Sequence, residues 1–220
     1  MSLALDHLVV AARTLDDGVA WCEATFGLVP GPGGKHPLMG THNRLFSIGS
    51  PVFPKAYFEI IAIDADAPSP GRVRWFDLDT PAMQQAVADG PRLIHWVARC
   101  DDVAERIGRW RTGGVDRGEL LAAERDTPDG ALRWRISVRA DGARLCGGAL
   151  PTLIAWGDRH PTDTMPGSGV TLEALRVAGL PAAVAAEGAG PGISFDADGP
   201  PLTATLSTPR GRVTLTSLSE

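Results

Sequence analysis

Lysine is almost missing from this chain: of 21 basic side chains in 220 residues only Lys35 and Lys55 are Lys, and the rest are Arg, a skew that reads as genome bias. The basic residues are outnumbered by 26 acidic ones, for a net charge of -5, so no diffuse positive field exists to hold nucleic acid or anionic lipid. No apolar run approaches the roughly 20 residues a bilayer span needs. Residues 1–7 carry Asp6 and no basic cluster ahead of an apolar stretch, so no secretory signal is expected and the cytoplasm is the default location. Cysteine is scarce and odd in number; Cys22, Cys100 and Cys146 are far apart and form no Cys-x-x-Cys clip, which leaves buried, inert thiols. Gly31 to Gly34 lacks the Lys-Ser/Thr ending of a phosphate loop, and no Gly-x-Ser-x-Gly nucleophile motif occurs.

What the chain has in excess is Gly and Pro, 26 and 18 residues. A fifth of the sequence is therefore turn-forming, which points to many short elements. Leu3 to Ala12 reads as a buried strand interrupted by Asp6 and His7. Thr14 and Asp17 form a capping-box pattern, and Leu15, Val19, Cys22 and Phe26 recur at helical spacing before Gly27. A Gly/Pro loop from Pro30 to Gly40 is expected next, then strands over Thr41 to Ile48 and Tyr57 to Ile63, the latter holding a lone Glu59.

The pattern then repeats. Arg92 to Arg99 is a strand with a central His95, and Asp101 is expected to cap a helix whose Val103, Ile107 and Trp110 share a face. Leu132 to Val138 and Leu150 to Trp156 complete this half as strands. DHLVVAARTLDDGVAW, from Asp6, resembles IHWVARCDDVAERIGRW, from Ile94, which argues for an internal duplication. The connector from Asp64 to Gly90 is expected to cross the surface. Beyond a linker over Asp163 to Gly169, Val170 to Val177 and Leu202 to Leu215 read as strands around an Ala-rich stretch, with a turn at Ser207 to Gly211. This last segment is expected to pack on the rest.

LDHLVV, GTHNRLFSIG with YFEIIAID, RLIHWVAR and LPTLIAWGD, in this order, resemble the glyoxalase-like members of the vicinal oxygen chelate superfamily, which also holds bleomycin resistance proteins and extradiol dioxygenases. The resemblance covers residues 3 to about 161. It implies an α+β fold of two βαβββ modules forming a half-open eight-stranded barrel, here with a C-terminal strand-rich extension over residues 162–220. The corresponding bounds are 1–66 for module one, 67–90 for the connector and 91–161 for module two.

In metal-dependent members a divalent ion in the cup holds adjacent substrate oxygens and acts as a Lewis acid. Carried over by position, the resemblance places metal ligands at His7, Glu59 and His95 and puts Ala155, which has no donor atom, at the fourth ligand position. It implies Fe, Mn, Ni, Zn or Co, or no metal at all. Glu59 and His42 are the candidate proton carriers, and His42, Asn43, Arg44, Trp75, Trp96 and Trp156 the candidate pocket residues.

Two readings of these residues stay open. In one, the chain is a lyase, isomerase or dioxygenase acting on a small oxygenated metabolite. In the other it is a metal-free protein that sequesters a small molecule in the same cup, with His7 and His95 as core histidines and Glu59 paired with Arg44. In both the partner is a small molecule, neither nucleic acid nor a membrane is involved, and the chain is a monomer or homodimer.

Overall fold

In the computed structural model, residues 2–128 and 130–217 are described; residues 1, 129 and 218–220 lie outside it, the first of the amino-terminal stretch and the last of the extension among them. The chain runs β1 (Ala4–Ala11), α1 (Leu15–Phe26), β2 (Gly31–His36), β3 (Thr41–Ser47), β4 (Tyr57–Ile63), α2 (Pro81–Ala88), β5 (Arg92–Arg99), α3 (Val103–Thr112), β6 (Glu119–Arg125), β7 (Leu132–Val138) and β8 (Thr152–Trp156). The extension adds β9 (Thr171–Ala178), α4 (Ala182–Ala185), β10 (Ile193–Asp196), β11 (Leu202–Thr208) and β12 (Gly211–Thr216).

Eight strands form one curled sheet in the order β2-β3-β4-β1-β5-β8-β7-β6. The duplication is visible in that order. β1 pairs parallel with β4 and β5 parallel with β8, and the two halves meet where β1 and β5 run antiparallel. The fold is the expected half-open barrel of two βαβββ modules, and β9 to β12 supply a second, four-stranded sheet.

Alternation along the strands sorts the core into two layers. Leu8, Val10, Phe58, Ile60, Trp96 and Leu153 face the convex side, where α1 and α3 pack. Thr14 caps α1 by accepting from the Asp17 N–H at 3.1 Å, and Gly27, at φ 77°, ends it. Gly18 lets α1 sit against the sheet, because a Cβ there would lie 2.4 Å from Ile60 Cγ2. The C-terminal sheet joins the same layer through Leu172, Leu175, Val177, Leu202, Ala204 and Leu206. Arg106 of α3, fully buried, is ion-paired to Glu187, which also accepts from Trp110 Nε1 at 2.8 Å, so the extension is tied to the barrel by charge as well as by apolar contact.

Several sequence expectations need correction. The Pro30 to Gly40 stretch is not all loop: β2 occupies most of it, as an edge strand on which Pro32 is tolerated. β6 and β10 were not apparent in the sequence. β6 reads ELLAAER, without β-branched residues, and is a strand because it pairs with β7 over its whole length. The N-cap of α3 is Asp102 and not Asp101, and its carboxylate is taken by Arg106 and Arg109. The connector does not merely cross the surface. It forms α2 and buries Trp75, Phe76, Leu78, Met83 and Val87 against Val9, Ala11, Ile61, Ile94 and Val97 on the concave side.

Since both sheets share the convex layer, Leu175→Ala on β9 and Leu8→Ala on β1 should each cost about 2–5 kcal/mol. Urea denaturation followed by Trp fluorescence and by far-UV circular dichroism should give one coincident transition for each variant. Two separated transitions would mean that the extension folds on its own.

Candidate active site

The concave side of the first module carries the polar cluster. β1 has a register irregularity between Leu5 and His7, so Asp6 is the extra residue of a bulge and its carboxylate turns back toward the His7 ring. Asp6 is fully buried; Oδ1 accepts from His7 Nδ1 at 2.7 Å, and Oδ2 accepts from Trp156 Nε1 and His160 Nε2, both at 3.0 Å. Arg99 Nη1 stands 3.7 Å away. Burial alone would raise the Asp6 pKa, but the hydrogen bonds from His160 and His7 outweigh it and hold the carboxyl well below its usual 3.8, so Asp6 is ionised.

With its Nδ1–H on Asp6, His7 turns Nε2 into the cup, 3.6 Å from Glu59 Oε2. Its ring stacks on Tyr57 at 4.4 Å. Tyr57 is itself held un-ionised, its pKa raised well above 10 by burial and by the Asp6 and Glu59 charges. Glu59 Oε1 accepts from Asn43 Nδ2 at 2.5 Å, and Asn43 Oδ1 accepts from the Gly34 N–H at 2.8 Å, which fixes the amide orientation.

The same Asn43 Nδ2 lies 3.3 Å from His36 Nε2, and His36 Nδ1 lies 3.0 Å from Thr41 Oγ1. His36 therefore accepts at Nε2 and is neutral; burial is the main reason its pKa falls to about 4. Tyr57, Trp75, Phe76, Trp134, Ile136, Ile154 and Trp156 wall this inner cavity of about 40 Å³. A second cavity of about 490 Å³ adjoins it through Leu45 and Arg125.

The sequence candidates divide by strand alternation. Asn43 points into the cup, and so His42 and Arg44 on the same strand point away from it; His42 Nδ1 lies 4.0 Å from Asp64 Oδ1 outside. His42 is not next to Glu59, and Arg44 does not pair with Glu59. Trp75 and Trp156 line the cavity, but Trp96 is on the convex side, where Nε1 donates to Ala149 O at 2.7 Å. Ala155 also packs in the convex layer. Glu59 pairs with Val9, two residues beyond His7, and Thr152 pairs with Val97, two residues beyond His95; Thr152 is thus the counterpart of Glu59.

His95 is not brought together with His7 and Glu59 as a metal triad. Its Nδ1 donates to Gly148 O at 3.1 Å and its Nε2 accepts from the Thr152 N–H at 3.1 Å, with Thr152 Oγ1 at 2.9 Å. Both ring nitrogens are occupied, and burial, with the Arg117 and Arg144 charges, pushes its pKa well below 6.5. Phe76, on the connector, has its ring 5.0 Å from that of His95. Among the described residues no group of three His, Cys, Asp or Glu is arranged to hold a metal ion. The donors present therefore do not fit the three-ligand centre implied by the resemblance.

Asp6, His36, Tyr57, Arg125, Trp134 and His160 belong to the site and were not selected from the sequence. Asp6 alone carried a signal, as a charge inside a buried strand; the others reach the cup from β2, β4, β6, β7 and the segment after β8.

His36 and His95 are both neutral in the fold with depressed pKa values, so the unfolded chain takes up more protons than the native one below pH 6.5. Stability should be full above that value and decline as the pH falls, for His36 down to about pH 4. His36→Gln should remove one proton from this slope, at most about 1.4 kcal/mol per pH unit. Urea midpoints between pH 4 and 7 check it; a variant as pH-sensitive as the native chain would contradict the assignment.

A family model described as a glyoxalase-like domain matches residues 5–190. No curated protein matches the sequence. Among solved structures, a hypothetical protein from Staphylococcus aureus aligns at 16% identity over 81% of this chain and 70% of that one, with a TM-score of 0.56. A Streptomyces coelicolor methylmalonyl-CoA epimerase in complex with 2-nitronate-propionyl-CoA aligns at 20% identity over 72% of this chain and 99% of that one, with a TM-score of 0.45. A methylmalonyl-CoA epimerase in complex with methylmalonyl-CoA and NH4+ aligns at 19% identity over 76% and 100%, also at 0.45. No helix among the described residues is long and apolar enough to cross a membrane. With the family match spanning most of its length and the paired βαβββ modules in place, the chain belongs to the glyoxalase-like domain family of the vicinal oxygen chelate superfamily.

Proposed function

We propose that this glyoxalase-like protein is an enzyme that moves a proton on a small, enolisable oxygenated metabolite, in an isomerase or lyase type of reaction. The observation that carries the reading is His7 Nε2 facing Glu59 Oε2 at 3.6 Å inside an aromatic cavity, with the ionised Asp6 behind it. His7 Nδ1–H is committed to Asp6, so Nε2 is the free base. It takes the proton from a carbon next to a carbonyl, and the C–H electron pair moves onto the carbonyl oxygen as an enolate. The imidazolium that forms is stabilised by the Asp6 carboxylate, as in a His–Asp dyad.

Trp75 lines the cavity and its buried Nε1–H has no hydrogen-bond partner among the described residues, so it is the donor we assign to the enolate oxygen. Return of the proton to the neighbouring atom completes the transfer. Glu59, held by Asn43, is the second proton acceptor within reach of His7. Because the triad does not form around His95, no step is assigned to a metal ion.

The reading can be tested without knowing the substrate. In D2O, a panel of small 2-oxo acids, hydroxyketones and thioesters should include at least one compound whose C–H signal is replaced by deuterium, followed by proton NMR. Glu59→Gln and His7→Gln should each slow that exchange by about 10²–10⁴-fold. Saturable binding of panel members with no exchange by the native protein would instead make the chain a sequestering protein.

A further inference from the structure

Resting on the proton-transfer reading, we infer that the substrate is a monocarboxylate with an apolar tail, its carboxylate held by Arg125 and its tail in the larger cavity. Arg125 ends β6, one edge of the curled sheet, and crosses to β2, the other edge. Its guanidinium lies over Gly34, where a Cβ would stand 2.4 Å from Nη1, so the absence of a side chain at Gly34 makes the room. Arg125 thus closes the seam of the half-barrel.

Two observations point to an anion at this place. Arg125 lines both the inner cavity with His7 and Glu59 and the outer one of about 490 Å³, so its charge sits where the two join. No hydrogen bond or ion pair engages its guanidinium among the described residues, whereas Arg99 has Asp6 and Arg144 has Asp77. An Arg fork in a partly enclosed position is suited to two-point binding of a carboxylate.

The outer cavity sets the rest of the molecule. Leu28, Pro32, Leu45, Phe46, Leu132 and Met165 give it an apolar lining, and its volume lies in the range of about 300–1,000 Å³ common for small-molecule sites. A ligand with its charge on Arg125 can place an apolar tail there and present its carboxyl end, with the adjacent carbon, toward His7 and Glu59.

Octanoate, octan-1-ol and octylamine share a tail and differ in the head group, and thermal shift with quenching of Trp fluorescence reads their binding. Octanoate should bind the native protein at least about ten-fold more tightly than octan-1-ol, with octylamine weakest. Arg125→Gln should abolish the preference for octanoate over octan-1-ol, while Arg125→Lys should keep part of it and show that the site is still folded. Equal binding of the three compounds, no saturable octanoate binding, or an Arg125→Gln variant that binds octanoate like the native protein would overturn the inference. Glu59→Gln should bind octanoate normally while losing deuterium exchange. Loss of the head-group preference with exchange intact therefore refutes only the carboxylate site, and the reverse refutes only the proton transfer.

Discussion

The buried Asp6 carboxylate is the interaction on which the site depends. A charge taken out of water is costly unless it is paired and hydrogen-bonded, and Asp6 satisfies that condition by collecting donors from three parts of the chain: His7 beside it, Trp156 on β8 and His160 beyond β8. The bulge in β1 exists in the same few residues, and it is what lets neighbours that would point to opposite faces meet. One consequence is chemical, since the proton on His7 is fixed at Nδ1. The other is architectural. The segment after β8 is fastened at the cup because His160 Nδ1 accepts from the Thr162 N–H and the Asp163 carboxylate accepts from the His160 N–H, closing a short turn around the ring that holds Asp6.

The duplicated frame is filled with opposite chemistry in its two halves. In the first, His7 faces a carboxylate on β4, and that carboxylate is steadied by an amide on β3. In the second, the positions related by register are His95, Thr152 and Ile136: Asn43 lies opposite Ile61, two residues beyond Glu59, as Ile136 lies opposite Ile154, two beyond Thr152. Arg117, fully enclosed, donates to Pro151 O at 2.8 Å and to the Thr152 hydroxyl. Burial lowers its pKa only to about 10, so it remains a cation, and a neutral His95 is the form compatible with that neighbour. Barrel symmetry thus supplies two equivalent places for a proton-handling histidine. The side chains opposite each one leave His7 available and commit His95 to structure.

This division explains what could be read from the sequence. Strands with strong apolar or β-branched content were legible, and Tyr57–Ile63, Arg92–Arg99 and Leu132–Val138 have the expected bounds. His7 and Glu59 were legible because a polar residue in a buried strand is conspicuous. Which face a residue occupies was not, since side chains alternate with period two and a single-residue error in placement reverses the assignment. His42 and Arg44, named with Asn43, flank it on the opposite face, and Ala155 lies three residues from Thr152, an odd step that also reverses the face. Arg125 and His36 lie on edge strands whose sequences, ELLAAER and GPGGKH, lack strand character and take their form from pairing with β7 and β3. No local pattern could place either residue beside Glu59.

The connector joins these features. Phe76 and Asp77 both have positive φ, 61° and 59°, an unfavourable backbone for side chains of their kind. The strain is held by an N–H from Asp77 to Gly142 O at 3.0 Å and by the ion pair of Asp77 with Arg144, whose Nε donates at 2.8 Å. What it accomplishes is to set Phe76 over His95 and Trp75 edge-on to His36, 5.1 Å away. The two rings cover His36 and His95, and electrostatic interactions strengthen as surroundings become less polar. The Asp6 charge then acts on His7 through a less polar medium than an open barrel would provide. With the connector above and the sheet below, access to His7 and Glu59 runs along the seam at Arg125, so a ligand's charge meets the guanidinium before its reacting carbon meets the base.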